Sequence, residues 1–296
     1  MDAVVAWSTV LGTGIALVTA VITVLATRRA KRATGSGADP RVEATPPTSR
    51  IETVKRRGSF KFGCLNHWPL ISWRTDAGGD FVFDGLYVEI ARKVGEIAGL
   101  EVEFVPMDWG ELSRSFEKYD LDAVLSVFET RARLEFGEFV APMHKVGVGA
   151  LVPVGATSVR EIPDLLKGDI KVAVVNGEVG WEVAVYDLKI PRHRLILVDS
   201  ADLRNVFGPL LTGAADVGII DAVSCAELIA ANPGYEHLFE ADPIQMCKNA
   251  IMVPRGDNAF AEWIDELFIQ ARSDPEILQV EAKLLFPYKD IIRRFR

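Results

Sequence analysis

The sequence is poor in the residues that build metal, redox and covalent catalytic centres. Its four histidines follow no metal-ligand spacing, and its three cysteines, Cys64, Cys225 and Cys247, include no CxxC pair. No P-loop, dinucleotide fingerprint or G-x-S-x-G elbow is present. We therefore predict no metal, no cofactor and no catalytic residue of these classes. The cysteines are interpreted as buried thiols, with a Cys225–Cys247 disulfide as the alternative.

The folded part of the chain also lacks an excess of basic residues. The whole chain has a net charge of −8, of which residues 1–50 contribute +3, which leaves −11 for residues 51–296. Because nucleic-acid binding requires a basic face, this charge argues against DNA or RNA as a partner. We expect a monomer whose partner is a small molecule.

One long apolar run stands at the start of the chain. Residues 3–26 contain no charged side chain, and this length is sufficient to cross a bilayer as a helix. No basic segment precedes the run, so it is predicted to be an uncleaved transmembrane anchor rather than a signal peptide. Residues 27–50 then combine glycine, proline and small polar residues, a composition typical of a flexible tether.

Strand and helix patterns alternate after residue 51, which predicts an α/β fold. Apolar residues recur at helical spacing over 86–98, and Gly99 follows as a C-cap. Residues 122–128 form a continuous apolar run of the kind found in a buried parallel strand. Further strands are predicted at 60–66, 100–106, 169–175, 194–200 and 215–221, and further helices at 162–168, 179–188, 201–213, 222–232, 258–272 and 274–285.

Several sequence blocks occur in an order that is typical of one protein family. They are FDGLYVEIARKVGEIAGLEVEFVP (83–106), TRAR (130–133), FVAP (139–142), IPDLLKG (162–168), VAVVNG (172–177), LLTGAADVGIID (210–221) and AIMVPRGD (250–257). In this order they resemble bacterial solute-binding protein family 3, the extracytoplasmic amino-acid-type substrate-binding proteins of ABC transporters. The resemblance covers about residues 51–290. It implies a two-lobed, type II periplasmic-binding-protein-like fold, which here would follow the single N-terminal transmembrane helix.

The resemblance also implies where the lobes and the ligand lie. Lobe one is predicted to comprise residues 51–146 plus 252–296, and lobe two residues 147–251. The ligand would bind in the cleft between the lobes, where closure buries it.

Positions in the family's ligand site carry over to this chain. The resemblance implies that Arg133 and Thr130 bind a ligand carboxylate, because a guanidinium fork matches that group and a hydroxyl adds a donor. It implies that Asp221, at the end of an apolar strand, binds an ammonium group. The remaining implied ligand contacts are Asn66, Trp68, Trp109, Ser126, Gly177 and Glu178.

The chain departs from the family pattern at three places. Glu178 and Val179 follow Gly177, where many amino-acid binders have hydroxyl residues. The stretch between Asp122 and Thr130 is one residue shorter than the usual pattern, which leaves the role of Ser126 open. Met143 stands where a tyrosine often follows the proline.

Three functions remain open at this point. The favoured one is a membrane-tethered protein that captures an amino-acid-like or organic-acid ligand, for delivery to an ABC transporter permease or for sensing. The alternative is an enzyme on the same scaffold, similar to cyclohexadienyl or arogenate dehydratase, with Glu178 as general acid. The third is a pair of lobes that no longer binds a ligand.

Two sequence signals disagree about the side of the membrane on which the folded part of the chain lies. The family works outside the cytoplasm, and we expect this domain there, anchored in the cell membrane. Four basic residues directly after the apolar run, Arg28, Arg29, Lys31 and Arg32, instead favour a cytoplasmic location.

Overall fold

The computed structural model describes residues 49–295. The predicted membrane anchor at residues 3–26 and nearly all of the tether lie outside these residues. Among residues 49–295, no helix is both long enough and apolar enough to cross a membrane.

Helices and strands alternate through most of the described chain. The helices are α1 Arg50–Arg57, α2 Leu86–Ala98, α3 Ser115–Tyr119, α4 Val179–Glu182, α5 Phe207–Leu211, α6 Ala222–Ala231, α7 Asn258–Ala271 and α8 Pro275–Leu285. The strands are β1 Ser59–Leu65, β2 Ser72–Thr75, β3 Phe81–Asp84, β4 Glu101–Met107, β5 Ala123–Glu129, β6 Glu138–Pro153, β7 Val172–Val175, β8 Leu195–Val198, β9 Val217–Asp221, β10 Tyr235–Leu238, β11 Gln245–Val253 and β12 Ile292–Arg294.

Two long strands connect the two halves of the molecule. The main sheet has the order β4-β1-β5-β11-β6-β9-β7-β8. Strand β11 pairs with β5 on one side and with β6 on the other, and β6 in turn pairs with β9. The β4-β1-β5 half is lobe one, and the β9-β7-β8 half is lobe two. The predicted boundaries near residues 146 and 251 fall within these connecting strands and remain predictions.

Helix α2 illustrates how the local sequence produces these elements. Leu86, Ile90 and Val94 face the core on one side of the helix, as their spacing predicts. The helix ends at Gly99, which has a left-handed backbone (φ 66°) and donates its N–H to the last turn. The predicted helix over 86–98 is therefore confirmed.

Three predicted helices form in a different way. The helix predicted over 162–168 is a 3-10 turn at Ile162–Leu166. The helix predicted over 179–188 is a single α turn, α4, followed by a π turn at Val183–Asp187. The helix predicted over 201–213 is a 3-10 turn at Leu203–Val206 followed by α5. Apolar spacing over one or two turns does not separate these helix types, because their periods differ by less than one residue.

Candidate ligand-binding site

The carboxyl ends of parallel strands from both lobes meet at one place. In lobe one, β1 and β5 run parallel, and in lobe two, β7 and β9 run parallel. The loops that follow these four strands, together with the last residue of β9, carry seven of the nine predicted ligand contacts. Sites in open α/β folds lie at this edge of the sheet, so the topology itself assembles the candidate site.

Arg133 lies in the loop after β5, with no exposed surface. Its guanidinium donates three hydrogen bonds, with Nε to a Glu182 carboxylate oxygen at 2.6 Å, Nη1 to the Phe128 carbonyl at 3.2 Å and Nη2 to the Gly177 carbonyl at 3.0 Å. Phe128 belongs to lobe one, whereas Gly177 and Glu182 belong to lobe two. The arginine therefore joins the lobes through a charge-assisted bond and a backbone bond.

Thr130 contacts the same carboxylate. Its hydroxyl donates to the second oxygen of Glu182, and it also accepts the backbone N–H of Arg133 at 3.2 Å. Arg133 and Thr130 are thus brought together around one carboxylate, as the family resemblance implies. That carboxylate belongs to the protein itself, to the last residue of α4.

Glu182 was not among the predicted site residues, although the sequence contains a signal for it. Glu178 is the N-cap of α4, and Glu182 follows four residues later, which is one helical turn. Two acidic residues at this spacing, directly after a buried strand, lie on the same side of a helix. Both side chains are buried, with Glu182 5% exposed and Glu178 fully covered.

Gly177 allows the lobes to approach closely. Its φ is +76°, and a Cβ built on it would lie 2.4 Å from the Trp109 carbonyl oxygen of lobe one. Gly180 has a similar role within lobe two, where a Cβ would lie 2.2 Å from the Ile219 carbonyl oxygen. The first glycine permits contact between the lobes, and the second permits α4 to pack against β9.

Asp221 and Glu178 are two buried acidic residues in direct contact. Asp221 caps α6, where its Oδ1 accepts the backbone N–H groups of Val223 and Ser224, each at 3.0 Å. Its Oδ2 is buried and accepts no hydrogen bond from residues 49–295. Glu178 accepts the Gly180 N–H at 2.5 Å and the backbone N–H of Asp221 at 3.3 Å.

This arrangement changes the acidity of both side chains. Burial, and next the neighbouring Asp221 charge, raises the pKa of Glu178 from its ordinary value of 4.5 to about 8. Burial likewise raises the pKa of Asp221. Glu178 is therefore largely protonated at neutral pH, so it adds little negative charge to the cleft.

Aromatic rings from lobe one form a wall beside the guanidinium. Trp109 is 2% exposed, and the Arg133 guanidinium carbon lies 5.9 Å from the centre of one of its rings. His67, which was not predicted, packs edge-on against Trp109 with ring centres 5.2 Å apart. Burial and the Arg133 charge lower the pKa of His67 to about 3, so its ring is neutral. Nε1 of Trp109 and Nε2 of His67 are buried and bond to no atom of the described chain.

A cavity of about 200 Å³ adjoins this cluster between the lobes. Its polar lining comes from both lobes, with Asn66, His67 and Trp68 on one side and Asp202, Arg204, Ser224 and Glu227 on the other. Two of the predicted contacts, Asn66 and Trp68, are therefore next to the Arg133 cluster. Ser224 is also the residue whose backbone N–H bonds to Asp221, so one residue of the cavity lining contacts that carboxylate.

Ser126 and the cysteines lie elsewhere. The Ser126 hydroxyl donates to the Asn249 side chain at 3.1 Å, from a fully buried position in β5. This bond orients the hydroxyl toward strand β11. Cys64, Cys225 and Cys247 are all buried and free, so the Cys225–Cys247 disulfide is not formed.

Fold and site together define a class of protein, a two-lobed binding protein whose polar groups converge on an interlobe cleft. The chain belongs to the bacterial extracellular solute-binding proteins, family 3, whose family model matches residues 60–286.

Several characterised proteins are similar to the chain. Cyclohexadienyl dehydratase of Pseudomonas aeruginosa is 24% identical over 221 residues, which cover 74% of this chain and 79% of that enzyme. A mutant of ArgBP from T. maritima superposes with a TM-score of 0.65 at 22% identity, over 80% of this chain and 99% of that one. An ancestral amino-acid-binding protein, a precursor of cyclohexadienyl dehydratase, superposes with a TM-score of 0.64 at 21% identity. This match also covers 80% of this chain and 99% of that one. At these identities the structural matches establish the fold alone.

Proposed function

We propose that this protein is a solute-binding protein that captures a small amine-bearing molecule in the cleft, with Asp221 as the acceptor for the ammonium group. The observation that carries this proposal is the buried Oδ2 of Asp221, which no donor within residues 49–295 satisfies. A buried carboxylate oxygen without a donor is costly, and an ammonium group supplies both the charge and the hydrogen bond.

The charge balance of the cleft supports the same ligand class. One guanidinium, that of Arg133, faces the buried acidic side chains of Glu182 and Asp221, while Glu178 beside them is largely protonated. The lining of the adjoining cavity adds Glu227, and also Asp202, which is paired with Arg204. A cationic ligand offsets this excess, whereas an anionic ligand increases it.

A thermal-shift screen of the full chain tests the proposal. We expect simple amines to raise the melting temperature, by an amount equivalent to about 3 kcal/mol at a hundredfold excess over Kd. Dicarboxylic acids serve as the matched negative set. A screen in which only the acids stabilise the protein would contradict the proposal.

The physiological setting is part of the proposal. The apolar run at residues 3–26 would tether the protein to the cell membrane, with the binding domain on the extracytoplasmic side. There the protein would deliver its ligand to an ABC transporter permease or report it as a sensor. Cysteine labelling of intact cells at Ser36→Cys tests the location, and labelling only after lysis would place the domain inside.

One observation favours an enzyme as the second candidate. Glu178 has a pKa of about 8 and is therefore a proton donor near neutral pH, and a 24% identical relative is a cyclohexadienyl dehydratase. In a prephenate-like acid, loss of the ring carboxylate as CO2 would push out the hydroxyl group, which the Glu178 proton would convert to water. Release of CO2 from prephenate, abolished in Glu178→Gln, would support this function. No release at any pH between 6 and 9 would exclude prephenate as a substrate.

A further inference from the structure

The carboxylate of Glu182 holds a position that a ligand would need. Its two oxygens accept from Nε of Arg133 at 2.6 Å and from the Thr130 hydroxyl. These are the donors that the family resemblance assigns to a ligand carboxylate. Glu182 lies in lobe two and its donors in lobe one, so this one side chain links the lobes.

We propose that Glu182 is an internal ligand that competes with external carboxylates for Arg133 and holds the two lobes together, and that it thereby restricts the cleft to amines that lack a carboxylate. This inference rests on the proposed binding function and names the ligand class more narrowly. An α-amino acid would present its carboxylate to donors that are already satisfied. An amine without that group meets no such competition, because Asp221 is still free to accept.

Two further features make Glu182 hard to displace. Its side chain is 7% exposed and that of Arg133 is completely buried, so solvent weakens their attraction little. The Arg133 guanidinium is also held by the carbonyls of Phe128 and Gly177, which keeps Nε pointed at the carboxylate. An incoming carboxylate would have to separate Glu182 from Arg133, and the loss of that buried ion pair would lower the ligand's affinity.

The first measurement is the separation of the lobes, which needs no ligand. Spin labels at Ser113→Cys in lobe one and Leu211→Cys in lobe two report their distance in the full chain by pulsed electron resonance. Both positions are exposed, and the native cysteines are buried, so labelling is selective. We expect Glu182→Gln to shift the distance distribution toward longer values, and Glu182→Ala to shift it further.

The matched control removes a carboxylate from the same lobe outside the cleft. Glu236 pairs with Arg160 at 2.8 Å on the surface of lobe two. Glu236→Gln should leave the distances as in the parent. Unchanged distances in both Glu182 variants, or an equal opening in the Glu236 control, would overturn the proposal.

The second measurement is calorimetric affinity for L-arginine and for agmatine, the same molecule without its carboxylate. The parent chain should prefer agmatine, and Glu182→Gln should shift the preference toward L-arginine by at least tenfold. A preference that Glu182→Gln leaves unchanged would overturn the proposal. If neither compound binds to either chain, the proposed amine-binding function fails for these probes, while the lobe distances still decide the role of Glu182.

Discussion

The backbone N–H of Asp221 donates to the Glu178 carboxyl at 3.3 Å, which places two buried acidic side chains next to each other at the ends of adjacent parallel strands. Burial is the main cause of the raised pKa of Glu178, and the neighbouring Asp221 charge adds to it, because two carboxyl groups close together cannot both ionise without cost. The Glu178 carboxyl therefore keeps its proton at neutral pH.

This pair predicts how stability depends on pH. The pKa of Glu178 is about 8 in the folded protein against an ordinary value of 4.5, so the folded state binds the proton more tightly than the unfolded state. The stabilisation is therefore complete below about pH 4.5 and is lost as the pH rises toward 8, by a few kcal/mol in total. Urea unfolding at several pH values should show that the free energy of unfolding falls less with rising pH in Glu178→Gln than in the parent. Glu117→Gln, at an exposed position, is the control, and equal slopes in the two variants would contradict the assignment.

The guanidinium of Arg133 predicts a large loss on truncation. Arg133→Ala leaves Glu182 buried without its partner and should lower the free energy of unfolding by about 3–5 kcal/mol. Arg133→Lys should cost nearly as much, because a single ammonium cannot serve the Phe128 and Gly177 carbonyls and the carboxylate together. Arg56→Ala, at an exposed arginine of α1, is the control. A lysine variant as stable as the parent would show that the planar guanidinium group with its several N–H donors is not required.

Gly177→Ala tests the close approach of the lobes. The new Cβ would clash with the Trp109 carbonyl, and the positive φ adds strain. Gly58→Ala is a matched control, because Gly58 also has a positive φ (+80°) but its Cβ would meet no atom of the described chain within 4 Å. We expect about 1 kcal/mol of destabilisation at Gly58 and roughly 1–3 kcal/mol more at Gly177. Equal losses of unfolding free energy at the two sites would show that the lobes do not need this contact.

Asp221→Asn separates stability from binding. The amide oxygen can still cap α6, and the negative charge beside Glu178 is removed, so the unfolding free energy should not fall. Affinity for an amine found in the screen should fall by about 2–5 kcal/mol, because the ammonium loses its counter-charge. Asp274→Asn, at the N-cap of α8, is the control that measures how an Asp-to-Asn change at a helix N-cap alters the unfolding free energy. Unchanged calorimetric affinity in Asp221→Asn would remove this residue from the binding site.

The amino-terminal apolar run carries a prediction of its own. We expect residues 3–26 to stay attached in the mature protein, because the apolar run is long for a signal peptide. Sequencing the mature amino terminus checks this. A terminus between residues 27 and 45 would show cleavage and contradict the anchor.

Much of the fold could be predicted because its strongest signals are local. The helix at Leu86–Ala98 and its Gly99 cap, and the buried strands β5 and β9, follow from apolar periodicity and a single glycine. The hairpin of β2 and β3 was not predicted, because its residues are mostly exposed and show no clear alternation. Helix α1 was not predicted either, because only Val54 of its eight residues is buried.

The sequence alone determined the family and most of the elements in their order, because these depend on residues close together in the chain. It also marked Arg133, Thr130 and Asp221 as candidate ligand contacts. The tertiary structure decided which groups of the protein bind these side chains. Glu182 is 49 residues from Arg133, and only the pairing of β5, β11, β6 and β9 brings the two lobes, and with them these two charges, into contact. Likewise, the raised pKa of Glu178 arises from burial and from a neighbour 43 residues away. Neither desolvation nor contact between distant residues can be read from local spacing.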